Sequence, residues 1–248
     1  MTSPLSAARA FVEEHYPDAV MAFLGGSAAT GTATATSDLD VLILLRDDLG
    51  DVAFVETTTH QGWLVEAFVY GPVAAEHWIR RGREERRPVL DTLAASGLIL
   101  TGNAQARDWA EHARRVLAVG PGAPEPADVD RRRYGLSSLV DDLEGSGDPA
   151  ESYVIAATAW REAAELALLA TDRWLATGKW LIRQLRHGDD YGLIRWAAGE
   201  RDLQELSTIC RVVLDVAGGY LQHGFIRGER NFDLVRSSLR LTNSTVHR

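Results

Sequence analysis

Two hydrophobic patterns divide the chain. Up to residue 120, short apolar runs of strand length alternate with Gly, Pro and Asp. Beyond residue 128, apolar residues recur every three or four positions. The first pattern predicts a helix over 4–16 and a short strand over 19–24 that ends at Gly25-Gly26. Ser27 is placed to cap a short helix reaching about Ala33. Leu39 to Leu45 is almost wholly apolar, as in a central strand covered on both faces. Residues 52–60 and 63–70 flank Gln61-Gly62 and read as a hairpin. A charged helix is expected over 73–87, a further strand over 98–101 and a helix over 105–119.

The segment Gly120 to Asp128 holds three prolines and two glycines, the strongest linker signal in the chain. After it, helices are predicted over 131–143, 152–171, 179–187 and 203–216, with the face periodicity of a bundle. The expected class is α+β. An N-terminal mixed sheet with flanking helices occupies residues 1–120, and a C-terminal helical bundle occupies 128–248.

Composition narrows this picture. With 46% apolar and 25% charged residues in 248, the chain is an ordinary globular protein with ample core. A net charge of −9 argues against nucleic acid or an anionic membrane surface as partner. The lone cysteine, Cys210, rules out an internal disulfide. No apolar run is long enough to span a membrane, and the N-terminus reads as an amphipathic helix rather than a signal peptide, so the expected location is the cytoplasm.

The chemistry concentrates between Phe23 and Tyr70. Asp38 and Asp40 alternate across one residue, so a strand presents them on one face, at the mouth of an apolar run. Two such carboxylates repel unless a cation lies between them, and hard oxygen donors suit Mg²⁺. A third acid, Glu66, interrupts the apolar run WLVEAFVY and reaches the same place if its strand is a neighbour. Three carboxylates can serve two metal ions in a displacement at phosphorus. Glu56 is the competing third acid, in a more polar stretch. Upstream, Gly25-Gly26-Ser27 allows close backbone approach to a phosphate.

Gly26-Ser27, ten residues, then Asp38-Leu39-Asp40 with a later carboxylate resembles the signature of the DNA polymerase beta nucleotidyltransferase superfamily. Gly31 and Ser37 match a common version of the same segment, and the helical region is similar to that of kanamycin-type small-molecule enzymes. The resemblance implies transfer of a nucleoside monophosphate from ATP or another nucleoside triphosphate to a hydroxyl, with release of pyrophosphate. It places Asp38, Asp40 and Glu66 as metal ligands and catalytic carboxylates, and Gly25, Gly26, Ser27 and Ser37 around the triphosphate. Lys179 is the only lysine among 26 basic residues, and it shares a helix face with Arg183 and Arg186 that can meet phosphate. The general base is Glu66 or, by analogy with kanamycin-type enzymes, one of Asp141, Asp142 and Glu144. The expected acceptor is a small hydroxylated molecule such as an aminoglycoside, chosen by the helical domain. The resemblance leaves open a homodimer, a protein adenylyltransferase of toxin–antitoxin type, and a non-catalytic nucleotide-binding module.

Overall fold

The computed structural model describes residues 2–34, 36–102 and 104–228, and the end of the expected helical domain lies outside them. The chain forms two compact units. The first comprises Met1–Pro124 with Thr171–His187, and the second comprises Glu125–Ala170 with the residues from Gly188 onward. The segment carrying Lys179 and Arg183, placed by its sequence position among the later helices, thus belongs to the first unit.

The first unit is built on five strands: β1 (Met21–Leu24), β2 (Leu39–Leu44), β3 (Ala53–His60), β4 (Trp63–Tyr70) and β5 (Leu98–Thr101). Their order is β3-β4-β2-β1-β5. The β2–β4 pair is parallel and the other pairs are antiparallel, so the sheet is mixed. Side-chain alternation along the central strands feeds two cores. Val41, Ile43, Val65, Ala67 and Val69 join Phe11 and Val12 of α1 (Pro4–His15) on one face. Phe23 and Leu42 join α3 (Pro72–Glu84), α4 (Val89–Ser96) and α5 (Ala104–Val119) on the other. Ser3 caps α1 by accepting from the Ser6 N–H at 3.1 Å, and Pro4 opens it.

Two local expectations change. The helix expected over 73–87 stops at Glu84, and a second helix, α4, follows. Arg86 has a φ of +59°, and Pro88 disfavours helical backbone at the residue before it. Ser27 is not a cap. The short helix α2 (Gly26–Ala29) is entered through Gly25 with no side-chain cap bond, and Ser27 lies buried in its first turn.

In the second unit, α6 (Pro126–Gly145), α7 (Pro149–Ala170) and α10 (Leu203–Val216) pack together, with the short α9 (Leu193–Ala198) against α10. Ala156, Ala159 and Ala163 are buried along α7, and small side chains there admit close neighbours. Cys210 is fully buried, which pushes its thiol up to about 12 and leaves it a small apolar residue. No helix among the described residues is long and apolar enough to cross a membrane.

Candidate active site

Parallel pairing of β2 with β4 sets Asp40 directly beside Glu66. Asp38 immediately precedes β2 and shares the parity of Asp40. One carboxylate oxygen from each of Asp38, Asp40 and Glu66 lies within 4.8 Å of the other two, and all three residues are half-buried. Glu56 is excluded from this group. It pairs with Ala67 on β4, one register position from Glu66 and so on the opposite face, where it accepts a hydrogen bond from Tyr16 Oη.

The turn after β1 closes over these acids. The Gly25 N–H donates to the Asp40 carbonyl at 2.7 Å. Gly26 has a φ of +62°, and a Cβ there would sit 1.7 Å from Asp40 Oδ2. Position 26 therefore demands glycine twice, for its backbone and for the space the carboxylate occupies. Ser27 Oγ donates to Ser37 Oγ at 3.2 Å, and Ser37 Oγ accepts from the Thr34 N–H at 2.8 Å. The two serines thus brace the loop leading to Asp38.

Burial, reinforced by the charges of Asp38 and Glu66, pushes the Asp40 carboxyl up to about 6, while Lys179 opposes that shift. Lys179 is exposed at the start of α8 (Lys179–Leu185). Arg183, one turn on, lays its guanidinium 4.2 Å from the centre of the Trp180 ring, and its Nη2 lies 3.5 Å from Thr32 Oγ1 in the loop after α2. So the structure gathers the three acids, the Gly25–Ser27 turn, Ser37, Lys179 and Arg183 within the first unit. Three hard oxygen donors whose mutual repulsion is only partly offset by Lys179 fit a divalent cation.

A pocket of about 170 Å³ opens from Gly26 and Asp40. Its walls include Phe68, Leu93, Leu175 and Trp180, with Arg87, Thr92, Ser96, Thr177 and Gln184 among the polar members. The sequence reading missed α4, which supplies Leu93. Its signal was present: Pro88 ahead of apolar Leu90, Leu93 and Ala94 at helical spacing, then Gly97. The helical acids have partners inside the second unit. Glu144 accepts from Ser207 and Arg211, which lowers its pKa, and Asp141 accepts from Gln222 Nε2 at 2.8 Å. Asp142 is exposed.

Residues 5–74 match the family model described as a nucleotidyltransferase domain. This part of the chain is a nucleotidyltransferase domain. The matched span runs from α1 to the start of α3 and contains all three clustered acids and the glycine turn. Nucleotidyl transfer is the reaction class this domain carries, in keeping with the polymerase beta-like resemblance of its motif. Among solved structures, a nucleotidyltransferase-like protein from Exiguobacterium sibiricum is similar at 15% identity, over 86% of this chain and 73% of that one, with a TM-score of 0.44. No curated protein sequence matches the chain.

Proposed function

We propose that the chain transfers a nucleoside monophosphate from a nucleoside triphosphate, ATP in the first instance, to a hydroxyl of a small acceptor. The observation that carries this reading is the convergence of Asp38, Asp40 and Glu66 within 4.8 Å, on a domain of the nucleotidyltransferase family. These three side chains would hold Mg²⁺, which when bound neutralises phosphate charge and polarises the reacting phosphoryl group. Gly26, with no side chain, leaves room for both Asp40 and a phosphate at the turn. Lys179 and Arg183 add positive charge toward the triphosphate. The apolar walls of the neighbouring pocket, with the Trp180 ring among them, suit a nucleobase.

In the reaction, the acceptor oxygen bonds to the α-phosphorus and the bond from that phosphorus to the bridging oxygen breaks. The electron pair leaves with pyrophosphate, and the acceptor proton passes to a carboxylate. Glu66 is the base we assign, with Asp38 and Asp40 as the principal metal ligands, because Glu66 stands in the cluster beside them, whereas Asp141 is engaged by Gln222 and Glu144 by Ser207 and Arg211. A net charge of −9 favours a cationic acceptor, of which aminoglycosides are one class.

The test is pyrophosphate release with MgATP and a panel of cationic and neutral hydroxylated small molecules, for wild type beside Asp40→Asn. Release that requires both an acceptor and Asp40 supports the proposal. Binding of MgATP without release on any small acceptor overturns the acceptor class and directs the search to protein hydroxyls. Absence of nucleotide binding overturns the reading of the whole site.

A further inference from the structure

A second cluster of donors lies at the C-terminal end of α1. Glu14 and His15 close that helix, and His60 ends β3 at the hairpin turn. One potential ligand atom from each lies within 4.8 Å of the other two. His60 Nδ1 is 4.0 Å from Glu14 Oε2. The rings of His15 and His60 stand edge to face at 5.8 Å, and Phe11 packs against both, at 4.8 Å and 5.6 Å.

An independent observation points to a ligand. His60 is only 9% exposed, and its ring makes no hydrogen bond among the described residues: Nε2 is buried without a partner, and Nδ1, which faces Glu14, is 4.0 Å from it, beyond hydrogen-bond reach. A half-desolvated imidazole with no hydrogen bond on either nitrogen is costly, and a metal ion on Nδ1 would engage the nitrogen that faces Glu14.

We propose that Glu14, His15 and His60 bind a transition-metal ion of the zinc class. Two imidazoles and one carboxylate form a known zinc donor set that leaves a fourth position for water. Tetrahedral ligation at about 2.0–2.1 Å separates ligand atoms by about 3.4 Å. The three side chains must therefore draw together from separations that reach at most 4.8 Å. Glu14 and His15 are exposed at a helix end and have room to make that adjustment. The chemistry differs from that of the Asp38, Asp40 and Glu66 cluster, whose all-oxygen donors suit Mg²⁺. The two clusters share no residue, so this proposal stands apart from the transferase reading. Bound metal would tie the end of α1 to the β3–β4 hairpin and stabilise the first unit by mass action.

The test is calorimetric titration of tag-free, chelator-treated full-length protein with zinc in excess Mg²⁺. Wild type is compared with His15→Ala, Glu14→Gln and Asp40→Asn. His15 and Glu14 are exposed, so these variants leave the packed core intact, which a change at buried His60 would not. The expected result is one zinc per chain in wild type and Asp40→Asn, with affinity at least about tenfold weaker in His15→Ala. Imidazole ¹⁵N resonances of two histidines should shift with the same stoichiometry. No zinc uptake by wild type overturns the proposal. So does unchanged affinity in both His15→Ala and Glu14→Gln, or loss of binding in Asp40→Asn alone.

Discussion

Gly26 and Asp40 occupy the same few ångströms, and each restricts the other. A Cβ at position 26 would overlap Asp40 Oδ2, and the left-handed backbone adds strain for any L side chain. Gly26→Ala should displace the carboxylate, lower turnover by at least about a hundredfold and cost about 1–2 kcal/mol of stability. Rate assays and urea unfolding would check both effects. Asp40 itself carries a penalty when no cation is bound, because its carboxyl rises from 3.8 to about 6 on folding. A carboxyl whose pKa rises on folding binds its proton more tightly in the folded state. Its ionisation therefore weakens the fold as pH climbs from about 4 to about 6, and the penalty is complete above that. In chelator at pH 7.5, Asp40→Asn should be more stable than wild type by about 1 kcal/mol, a figure reduced for partial exposure. Below pH 4 the difference should vanish. Equal melting temperatures of the two proteins across that range would refute this account.

Among the elements, α4 connects the site to its support. Its Leu93 fills the space left by Gly25, where a Cβ would lie 2.4 Å from Leu93 Cδ2. The helix is tied to α3 by a paired contact in which Arg83 Nε and Nη2 donate to Asp91 at 2.9 Å and 2.8 Å. Asp91 is fully buried. Removing one partner of a buried pair leaves an uncompensated charge, so Arg83→Met should cost about 3 kcal/mol, measured by chemical denaturation. The double variant Arg83→Met with Asp91→Leu should recover much of that loss. The α8 element makes a separable contribution. If the pocket holds the nucleobase, Trp180→Ala should raise KM for ATP about tenfold and leave kcat within a few-fold, because stacking is lost equally in ground and transition states.

At the scale of the whole molecule, the charge of −9 acts through the field rather than through any one contact. For a cationic acceptor, raising ionic strength should raise KM steeply by screening that field. A neutral acceptor of similar size should show little change. Steady-state kinetics on one acceptor of each kind would separate the two.

Much of the candidate site was legible along the chain, because its signals are local. The apolar run after Asp38-Leu39-Asp40, the glycine turn ten residues earlier and an acid inside WLVEAFVY follow from side-chain alternation and the cost of burying charge. The α+β class followed from the change of hydrophobic period near residue 120. What only the tertiary structure decided depends on residues distant in sequence. Parallel pairing of β2 with β4, and not periodicity, set Glu66 beside Asp40 and sent Glu56 to the other face. The same holds for Lys179. Its helical pattern resembles that of the segments around it, yet residues 171–187 pack with the first unit and bring its charge within reach of Asp40. Hydrophobic spacing states which face of a helix is buried. It does not state which partner buries it, because any apolar surface of suitable shape satisfies that requirement equally.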